Sequence, residues 1–355
     1  MSRPHAASRI EDAWHRRADR VLRARGWATR TLPYTGYGNE LFVRVFGRVL
    51  LTRHPEGPGE ASADDPARMP PLRAMEDLKR GWRAFVTAPA AGVPVEVRVG
   101  ERVVNTRTDR GGYLDVIVTD PGLAAGWHMA TITAAAALPV EAPLQVTDPS
   151  VRIGLVSDID DTVMITKLPR VFIAAWNTFV RHGAARAVVP GMASLYRHIL
   201  AECPGAPIFY LSTGAWNTAP TLVRFLKRNG YPPGPLLLTD WGPTNTGWFR
   251  SGQEHKIASL HRLAREFPSI RWLLVGDDGQ HDPKIYGDFA RHRPDLVAAI
   301  AIRELSPAQQ VLSHGLPVSN EELDLLRPRR PREVLTVRAP DGYGLARLLQ
   351  EARAW

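Results

Sequence analysis

The sequence predicts an α/β fold in which a mainly parallel sheet is preceded by a smaller β-rich region. Between residues 151 and 303, apolar runs of strand length alternate with amphipathic segments of helix length, which is the pattern of consecutive βαβ units. Between residues 41 and 136, shorter alternating runs are separated by Gly, Pro and Asp turn signals. Several short strands at this spacing indicate a small β-sandwich-like domain.

The elements of the parallel sheet can be placed in order along the chain. The strand candidates are 151–158, 206–213, 234–240, 270–276 and 296–303, and the helix candidates are 191–202, 218–229, 254–267 and 283–292. The first two strands are separated by a short segment that itself contains a helix. We therefore expect little or no cap domain over the carboxyl edge of the sheet.

The chain has 355 residues, a length typical of two or three domains. The expected segments are a basic amphipathic N-terminal helix over 1–35, a β-sandwich-like accessory domain over 36–148, an α/β domain over 149–306 and a C-terminal helical extension over 307–355. The extension is expected to pack on the α/β domain, because its last residues have the apolar spacing of a helix.

The net charge of +9 is concentrated near the N-terminus, where residues 1–30 contain eight arginines and three acidic residues. Over residues 8–25 the apolar side chains share one helical face, while Arg16, Arg20 and Arg23 lie elsewhere. Such a helix can lie on an anionic membrane surface or pack on a neighbouring domain, and both interpretations remain open. Nucleic acid is not favoured as a partner, because no nucleic-acid motif accompanies the charge.

Other features concern the cellular compartment. The longest apolar runs are only of strand length, and the N-terminus has no apolar core of a signal peptide. Cys203 is the single cysteine, so no internal disulfide can form. We expect a cytoplasmic protein, with peripheral membrane association if the basic helix binds lipid.

Two carboxylates follow the first apolar strand of the α/β region. The run VRIGLVSDIDDTV places Asp158, Asp160 and Thr162 in the pattern D-x-D-x-T. Ligands of open α/β sheets bind at the carboxyl ends of the strands, and period-two spacing sends alternate side chains the same way. The pattern therefore predicts a metal-sized acidic site, although the same residue types also cap helices.

Two later segments supply groups that bind phosphate. APIFYLSTG ends an apolar strand in Ser212, Thr213 and Gly214, whose hydroxyl and N–H groups can hold phosphate oxygens. Lys256 lies in the first turn of a helix candidate. A cation there is unfavourable for the helix dipole and indicates an anionic partner, with a solvated lysine as the alternative.

A further acidic group follows another buried strand. In IRWLLVGDDGQHDP the apolar run breaks at Gly276 into Asp277 and Asp278, and Asp282 comes shortly after. Acidic residues therefore end two different strands of the predicted sheet, which places them at one edge.

Together these segments resemble the haloacid dehalogenase superfamily of phosphatases, whose motifs are D-x-D-x-T, a strand ending in Ser or Thr, a Lys, and a strand followed by paired acids. The wording SDIDDTV, YLSTGAWN, HK and VGDDGQHDPKIY is similar to the actin-patch-associated phosphatidate phosphatases, which are lipin-like in motif. The resemblance covers about residues 150–305 and implies a Rossmann-like, haloacid dehalogenase-like sheet.

The resemblance also implies a role for each motif residue. Asp158 would be the nucleophile that forms an aspartyl-phosphate, and Asp160 the general acid and base. Lys256 and Ser212 would act in catalysis by neutralising the transferring phosphoryl group. The residues expected to bind the phosphate are Ser212, Thr213, Gly214 and Lys256.

The implied cofactor is Mg²⁺, which prefers oxygen ligands, and the lone cysteine offers no soft-ligand alternative. The expected ligands are Asp158, Asp277 and, through its backbone carbonyl, Asp160. The residues expected to support them are Thr162, Asp278 and Asp282. Asp282 would orient bound waters or Lys256, Thr162 would fix the motif loop, and Asp278 remains a competing ligand.

The activity that the resemblance implies is Mg²⁺-dependent hydrolysis of a phosphomonoester, with phosphatidic acid as the substrate and diacylglycerol as the product. One alternative is a phosphatase for a soluble, protein or nucleic-acid phosphate. A second alternative is an inactive membrane-associated scaffold that keeps the fold. The complete set of acids and the lysine favours an enzyme, because binding alone does not require all of them together.

Overall fold

The structure is a computed structural model that describes residues 21–53, 87–165, 187–239, 252–279, 281–306, 309 and 334–355. The chain divides into two compact units, Met1–Val146 and Thr147–Trp355. Across the described part of the chain, no helix is long and apolar enough to cross a membrane.

The first unit is a β domain. Its strands are β1 (Ala28–Gly38), β2 (Phe42–Thr52), β3 (Thr87–Pro89), β4 (Pro94–Val99), β5 (Arg102–Arg107), β6 (Tyr113–Thr119), β7 (Gly126–Ala134) and β8 (Val140–Val146). The described strands form one mixed sheet in the order β3-β2-β1-β8-β7-β4-β5, and β6 pairs with β2. All pairs are antiparallel except β1–β8.

This sheet curls on itself, and β5 approaches β6. Alternate residues of its strands point into a shared core, among them Val45, Val97 and Ile132, all essentially inaccessible to solvent. The accessory domain is therefore one curled sheet, whereas a β-sandwich has two separate sheets. Burial of one face explains the alternating sequence pattern from which strands were expected here.

The predicted N-terminal segment needs a correction. Helical conformation ends before Trp27 and strand β1 begins at Ala28, so residues 28–35 belong to the sheet and not to the helix expected over 1–35. Leu22 packs against the core of this unit. The rest of the predicted basic helix, including Arg16 and Arg20, lies outside the described residues.

The second unit is the predicted α/β domain. Its strands are β9 (Ile153–Asp158), β10 (Met164–Ile165), β11 (Ala187–Val188), β12 (Ile208–Ala215), β13 (Leu236–Thr239), β14 (Arg271–Asp277), β15 (Val297–Arg303) and β16 (Thr336–Ala339). Its helices are α1 (Met192–Glu202), α2 (Ala219–Arg228), α3 (Gly252–Glu266), α4 (Asp282–His292) and α5 (Gly342–Glu351). The five predicted strands and four predicted helices of this region are confirmed within a few residues.

Within the described ranges the main sheet has six parallel strands in the order β13-β12-β9-β14-β15-β16. In chain order this is the 3-2-1-4-5-6 arrangement of a doubly wound sheet, in which ligands bind where the strand order reverses. That position lies between β9 and β14. Helix α1 contacts α5, and α3 contacts α4.

The strands are buried on both faces, which explains their continuous apolar runs. All seven residues of β15 are buried. Gly154 in β9 leaves space for an aromatic side chain of the neighbouring strand, since a Cβ atom there would lie 2.4 Å from the Trp272 ring. The two strands that end at the switch point therefore pack closely against each other.

The C-terminal segment corrects the prediction of a purely helical extension. Residues Thr336–Ala339 form β16, which pairs with β15 as the sixth strand, before α5 begins. A strand of four residues is too short to be recognised by its periodicity. Asp341 caps α5 by accepting a hydrogen bond from Gly344 N at 2.9 Å.

Candidate active site at the sheet edge

Three carboxylates and one ammonium group meet at the switch point of the sheet. Asp158 ends β9, Asp277 ends β14, Asp282 begins α4, and Lys256 extends from the first turns of α3. Lys256 Nζ donates to Asp158 Oδ1 at 2.6 Å and to Asp282 Oδ1 at 2.5 Å. None of these side chains is more than 2% exposed, so the sequence motifs converge on one buried charged cluster.

A glycine makes this convergence possible. A Cβ atom at Gly276 would lie 2.5 Å from Asp282 Oδ2 and 2.8 Å from the Tyr286 ring. The end of β14 therefore carries no side chain where the first turn of α4 approaches it. A larger residue at position 276 would displace Asp282, and with it one of the two partners of Lys256.

The cluster contains more negative than positive charge. One oxygen of each carboxylate, Asp158 Oδ2, Asp277 Oδ2 and Asp282 Oδ2, is buried without a hydrogen-bond partner among the described residues. Each of these three acids offers an oxygen within 4.8 Å of those of the others, a spacing that could hold a metal ion. Uncompensated buried carboxylates are costly, and a divalent cation would compensate them.

The ionisation of the cluster follows from its burial. Burial raises the pKa of Asp158 well above its ordinary value, and the negative charges of Asp282 and Asp160 add to this rise, while Lys256 opposes it. Burial likewise raises the pKa of Asp277, with contributions from Asp282 and Asp158. Burial would lower the pKa of Lys256, but the two carboxylates beside it raise the pKa overall, so the ammonium stays charged.

The carboxyl of Asp160 contacts a different part of the site, the end of strand β12. Ser212 Oγ donates to Asp160 Oδ2 at 3.0 Å and accepts from Gly214 N at 2.9 Å. The Thr213 carbonyl accepts from Thr239 Oγ1 at 2.9 Å. The predicted phosphate-binding residues 212–214 thus form a compact loop, in which the Gly214 N–H points back at Ser212.

The remaining predicted residues have separate environments. Thr162 is completely buried, and its hydroxyl finds no hydrogen-bond partner in the described part of the chain, although its N–H bonds to Ile159 O. Asp278 Oδ1 accepts from Leu305 N at 2.8 Å, and burial raises the pKa of this carboxyl. Asp278 is therefore directed at the segment after β15, and the acidic trio of the described residues contains Asp277 instead.

Sequence reasoning missed several residues that support the site. The Ser157 hydroxyl lies 2.6 Å from the Tyr196 hydroxyl and donates to Asp158 O at 2.7 Å. Arg303, which ends β15, donates to Asp161 O at 2.6 Å. A signal for Arg303 did exist, because a charged residue ending a buried strand is the same feature that indicated Asp158 and Asp277.

Residues 153–304 match the model of a family described as phosphatidate phosphatase APP1, catalytic domain. This stretch is similar to the APP1 catalytic domain. It contains every residue of the site, whereas β16, α5 and the β domain lie outside it.

Relatives show the same likeness. Phosphatidate phosphatase APP1 of Saccharomyces cerevisiae is 30% identical over 185 residues, which are 51% of this chain and 31% of that protein. An uncharacterised protein of Schizosaccharomyces pombe is 24% identical over 154 residues, covering 43% of this chain and 25% of that protein. The matched part of the chain thus spans less than a third of either relative.

Among solved structures, a carbohydrate acetylesterase from Xanthomonas citri covers 80% of this chain and 71% of its own, at 8% sequence identity and a TM-score of 0.28. A likeness at this TM-score supports no conclusion about fold or function.

Proposed function

We propose that this protein is a Mg²⁺-dependent phosphatase that hydrolyses phosphatidate to diacylglycerol and phosphate. The observation that carries the proposal is the buried contact of Asp158 and Asp282 with Lys256, within a stretch similar to the APP1 catalytic domain. The parallel sheet with D-x-D-x-T at the end of β9 supports the wider resemblance to haloacid dehalogenase phosphatases, on which the proposed chemistry rests.

The donor set fits a hard divalent cation. The unpartnered oxygens of Asp158, Asp277 and Asp282 are all carboxylate oxygens, the ligands that Mg²⁺ prefers. We assign these residues as its side-chain ligands, which extends the sequence-based set by Asp282. Bound Mg²⁺ would supply positive charge that offsets the negative charge of the phosphoryl oxygens.

Asp158 is the proposed nucleophile. One carboxylate oxygen attacks the phosphorus, the bond from phosphorus to the lipid oxygen breaks, and an aspartyl-phosphate forms. Lys256 holds Asp158 Oδ1 at 2.6 Å and so fixes the rotation of the carboxylate before attack. The same ammonium carries a permanent positive charge where phosphoryl oxygens accumulate negative charge, which lowers the barrier.

Asp160 is the proposed proton carrier. In the first half-reaction it gives a proton to the departing alkoxide, and in the second it takes a proton from the water that attacks the aspartyl-phosphate. The hydrogen bond from Ser212 to Asp160 Oδ2 keeps this carboxyl at the β12 edge of the site. Water attack regenerates Asp158 and releases inorganic phosphate, so both half-reactions balance.

Two considerations support phosphatidate as the substrate: the similarity to the APP1 catalytic domain, and the expected lack of a large cap, which would leave the site open to a bulky lipid. Residues 166–186, where a cap would be inserted between β10 and β11, lie outside the described residues. A phosphatidate substrate requires contact with a membrane surface, and we assign that contact to the basic segment 8–25. The proposed location is the cytoplasm, with peripheral membrane association.

The test is phosphate release by the purified full chain, with Mg²⁺ or EDTA. Phosphatidate in mixed micelles is compared with glycerol 3-phosphate, a phosphopeptide and a 3′-phosphorylated oligonucleotide, and Asp158→Asn is the control. We expect Mg²⁺-dependent release from phosphatidate far above the others. Faster release from a soluble substrate would replace phosphatidate, and no release from any would favour the scaffold alternative.

A further inference from the structure

Arg303 is a buried cation that the proposed chemistry leaves without a role. It ends β15, stands opposite Asp277 in the register of the sheet, and is 4% exposed. Arginine is almost never buried unless its charge and donors are satisfied. The side chain therefore has a structural or catalytic purpose that justifies its desolvation.

Among the described residues, each hydrogen bond of Arg303 ends on a neutral oxygen in a different segment. Arg303 Nη1 donates to Asp161 O at 2.6 Å, Nε to Pro340 O at 3.2 Å and Nη2 to Gln309 Oε1 at 3.1 Å. The guanidinium thus connects the D-x-D-x-T loop with the turn after β16. Only arginine offers several donors in one rigid plane for such separate acceptors.

The segment it holds is a strained turn. Asp161 has φ of 57°, in the left-handed region, which costs energy in residues other than glycine, although Asp tolerates it better than most. The Asp161 N–H donates to Met164 O at 2.8 Å, and its carbonyl accepts from Arg303. The peptide groups before and after Asp161 are therefore both held by hydrogen bonds.

The turn directly follows Asp160, whose Oδ2 accepts from Ser212. A change at the Asp161 carbonyl would rotate the peptide group between residues 161 and 162, and the altered turn would move the carboxyl of the preceding Asp160 relative to Ser212. Misplacement of a reacting group by about 1 Å can cost on the order of a hundredfold in rate. A fixed turn is therefore a condition for a well-placed proton carrier.

Charge explains why a cation can be buried here. Burial lowers the pKa of Arg303 overall, and the negative charges of Asp161 and Asp277, with smaller contributions from Asp278 and Asp341, oppose this in part. These nearby acids thus stabilise the guanidinium, which in turn offsets part of the negative charge beside Asp277.

We propose that Arg303 is a positioning residue that acts through the Asp161 carbonyl to keep Asp160 in place beside Ser212. The inference rests on the proposed phosphatase function, because it assigns Arg303 to the residue that moves the proton. The turn after β16 then also supports the site, because the Pro340 carbonyl accepts a hydrogen bond from Arg303.

The test compares two phosphomonoesters that differ in leaving group, using the full chain with Mg²⁺. An alkyl phosphate needs a proton on its leaving oxygen, whereas 4-nitrophenyl phosphate needs far less. For Arg303→Gln we expect kcat/KM to fall by about 10- to 100-fold on the alkyl substrate, and several-fold less on the aryl substrate. Equal losses on both, or no loss, would overturn the proposal.

Two further variants keep the test informative. Arg303→Lys retains a cation but cannot reach three separate acceptors, so it should show the same selective loss even if Arg303→Gln does not fold. Arg271→Gln is the matched control, because Arg271 begins β14 at the opposite edge and donates to the Val297 carbonyl. It should leave both substrates unaffected.

Amide hydrogen exchange separates this inference from the proposed function. In Arg303→Lys, the N–H groups of residues 161–164 should exchange at least about tenfold faster than in the wild type, while those of β9 stay unchanged. If the wild type hydrolyses no phosphomonoester, the function fails and the exchange result still decides whether Arg303 holds the turn. Unchanged exchange at 161–164 would show that it does not.

Discussion

Lys256 Nζ lies between Asp158 Oδ1 and Asp282 Oδ1, at 2.6 Å and 2.5 Å, and so joins the end of β9 to the start of α4. One ammonium thereby leaves the second oxygen of each carboxylate available for a cation. Under the proposed function, this arrangement would couple the orientation of the nucleophile, metal binding and folding stability, and each can be measured separately.

Asp158→Asn should abolish phosphate release while the fold is retained, because the amide has nearly the same shape but is neither a nucleophile nor an anionic ligand. We expect a loss of at least about a thousandfold. Phosphate assays report the loss, and circular dichroism reports the fold. More than a few per cent of residual activity in the purified variant would exclude an aspartyl-phosphate route.

Lys256→Met should impair both catalysis and stability. Removal of a preorganised charge raises the barrier by roughly 3 to 4 kcal/mol, and leaving Asp158 and Asp282 buried without their cation costs about 3–5 kcal/mol of unfolding free energy. Steady-state kinetics and urea denaturation measure the two effects. Lys227→Met, an exposed lysine of α2, is the control and should change neither.

The metal-free protein should lose stability as the pH rises. The pKa values of Asp158 and Asp277 are raised in the folded state by burial, so the folded form binds protons more tightly than the unfolded chain, whose Asp pKa is about 3.9. This contribution is complete below the unfolded pKa and disappears as the pH passes the raised folded values.

Because Mg²⁺ competes with these protons, the rise in Tm that it causes should grow as the pH increases above the unfolded Asp pKa of about 3.9. Scanning calorimetry in EDTA and in Mg²⁺ measures both trends. Asp277→Asn should flatten both curves, since it removes one titrating ligand. A shift in Tm that is the same at every pH would contradict this assignment.

The basic N-terminal segment should bind anionic vesicles. Each basic group near a charged surface contributes roughly 1 kcal/mol, so Arg16→Gln with Arg20→Gln should weaken binding by about 30-fold at low salt. Arg23 is excluded because it donates to Thr29 Oγ1. Vesicle sedimentation with phosphatidylserine vesicles gives the readout.

The matched control for that experiment is Arg224→Gln with Arg228→Gln on the exposed side of α2, which should bind like the wild type. Activity on vesicular phosphatidate should fall with binding, whereas activity on a small soluble phosphomonoester should not. If the intact protein binds no vesicles at low salt, the membrane role of this segment is wrong.

The α/β unit could be predicted well because its strands are continuous apolar runs with acids at their ends. The β domain could be predicted only in part. Strand β1 contains Pro33 and Gly36 and has a register shift between Tyr34 and Tyr37, so it lacks clear alternation, and β8 is interrupted by Pro143. Both were missed, as was the four-residue β16.

For the site, the order of the motifs predicted which residues lie close together, but not which atoms form hydrogen bonds with one another. Lys256 was one possible partner predicted for Asp282, and the structure has this contact. The contacts of Lys256 with Asp158 and of Ser212 with Asp160 were not predicted, because they depend on the strand order of the sheet, which joins positions far apart in the chain. Arg303 carried the signal of a charged residue that ends a buried strand, but its partners could not be predicted, because two of its three acceptors in the described part of the chain are the backbone carbonyls of Asp161 and Pro340.

The pairing of β16 with β15 has a consequence for solubility. β15 is entirely buried and apolar up to Arg303 at its end, and without β16 its N–H and C=O groups would form an open sheet edge. Such edges recruit strands from other molecules and promote aggregation. Disrupting Thr336–Ala339 should therefore make the protein self-associate, independently of any effect on hydrolysis. By covering the edge of β15, this short strand protects the protein against aggregation.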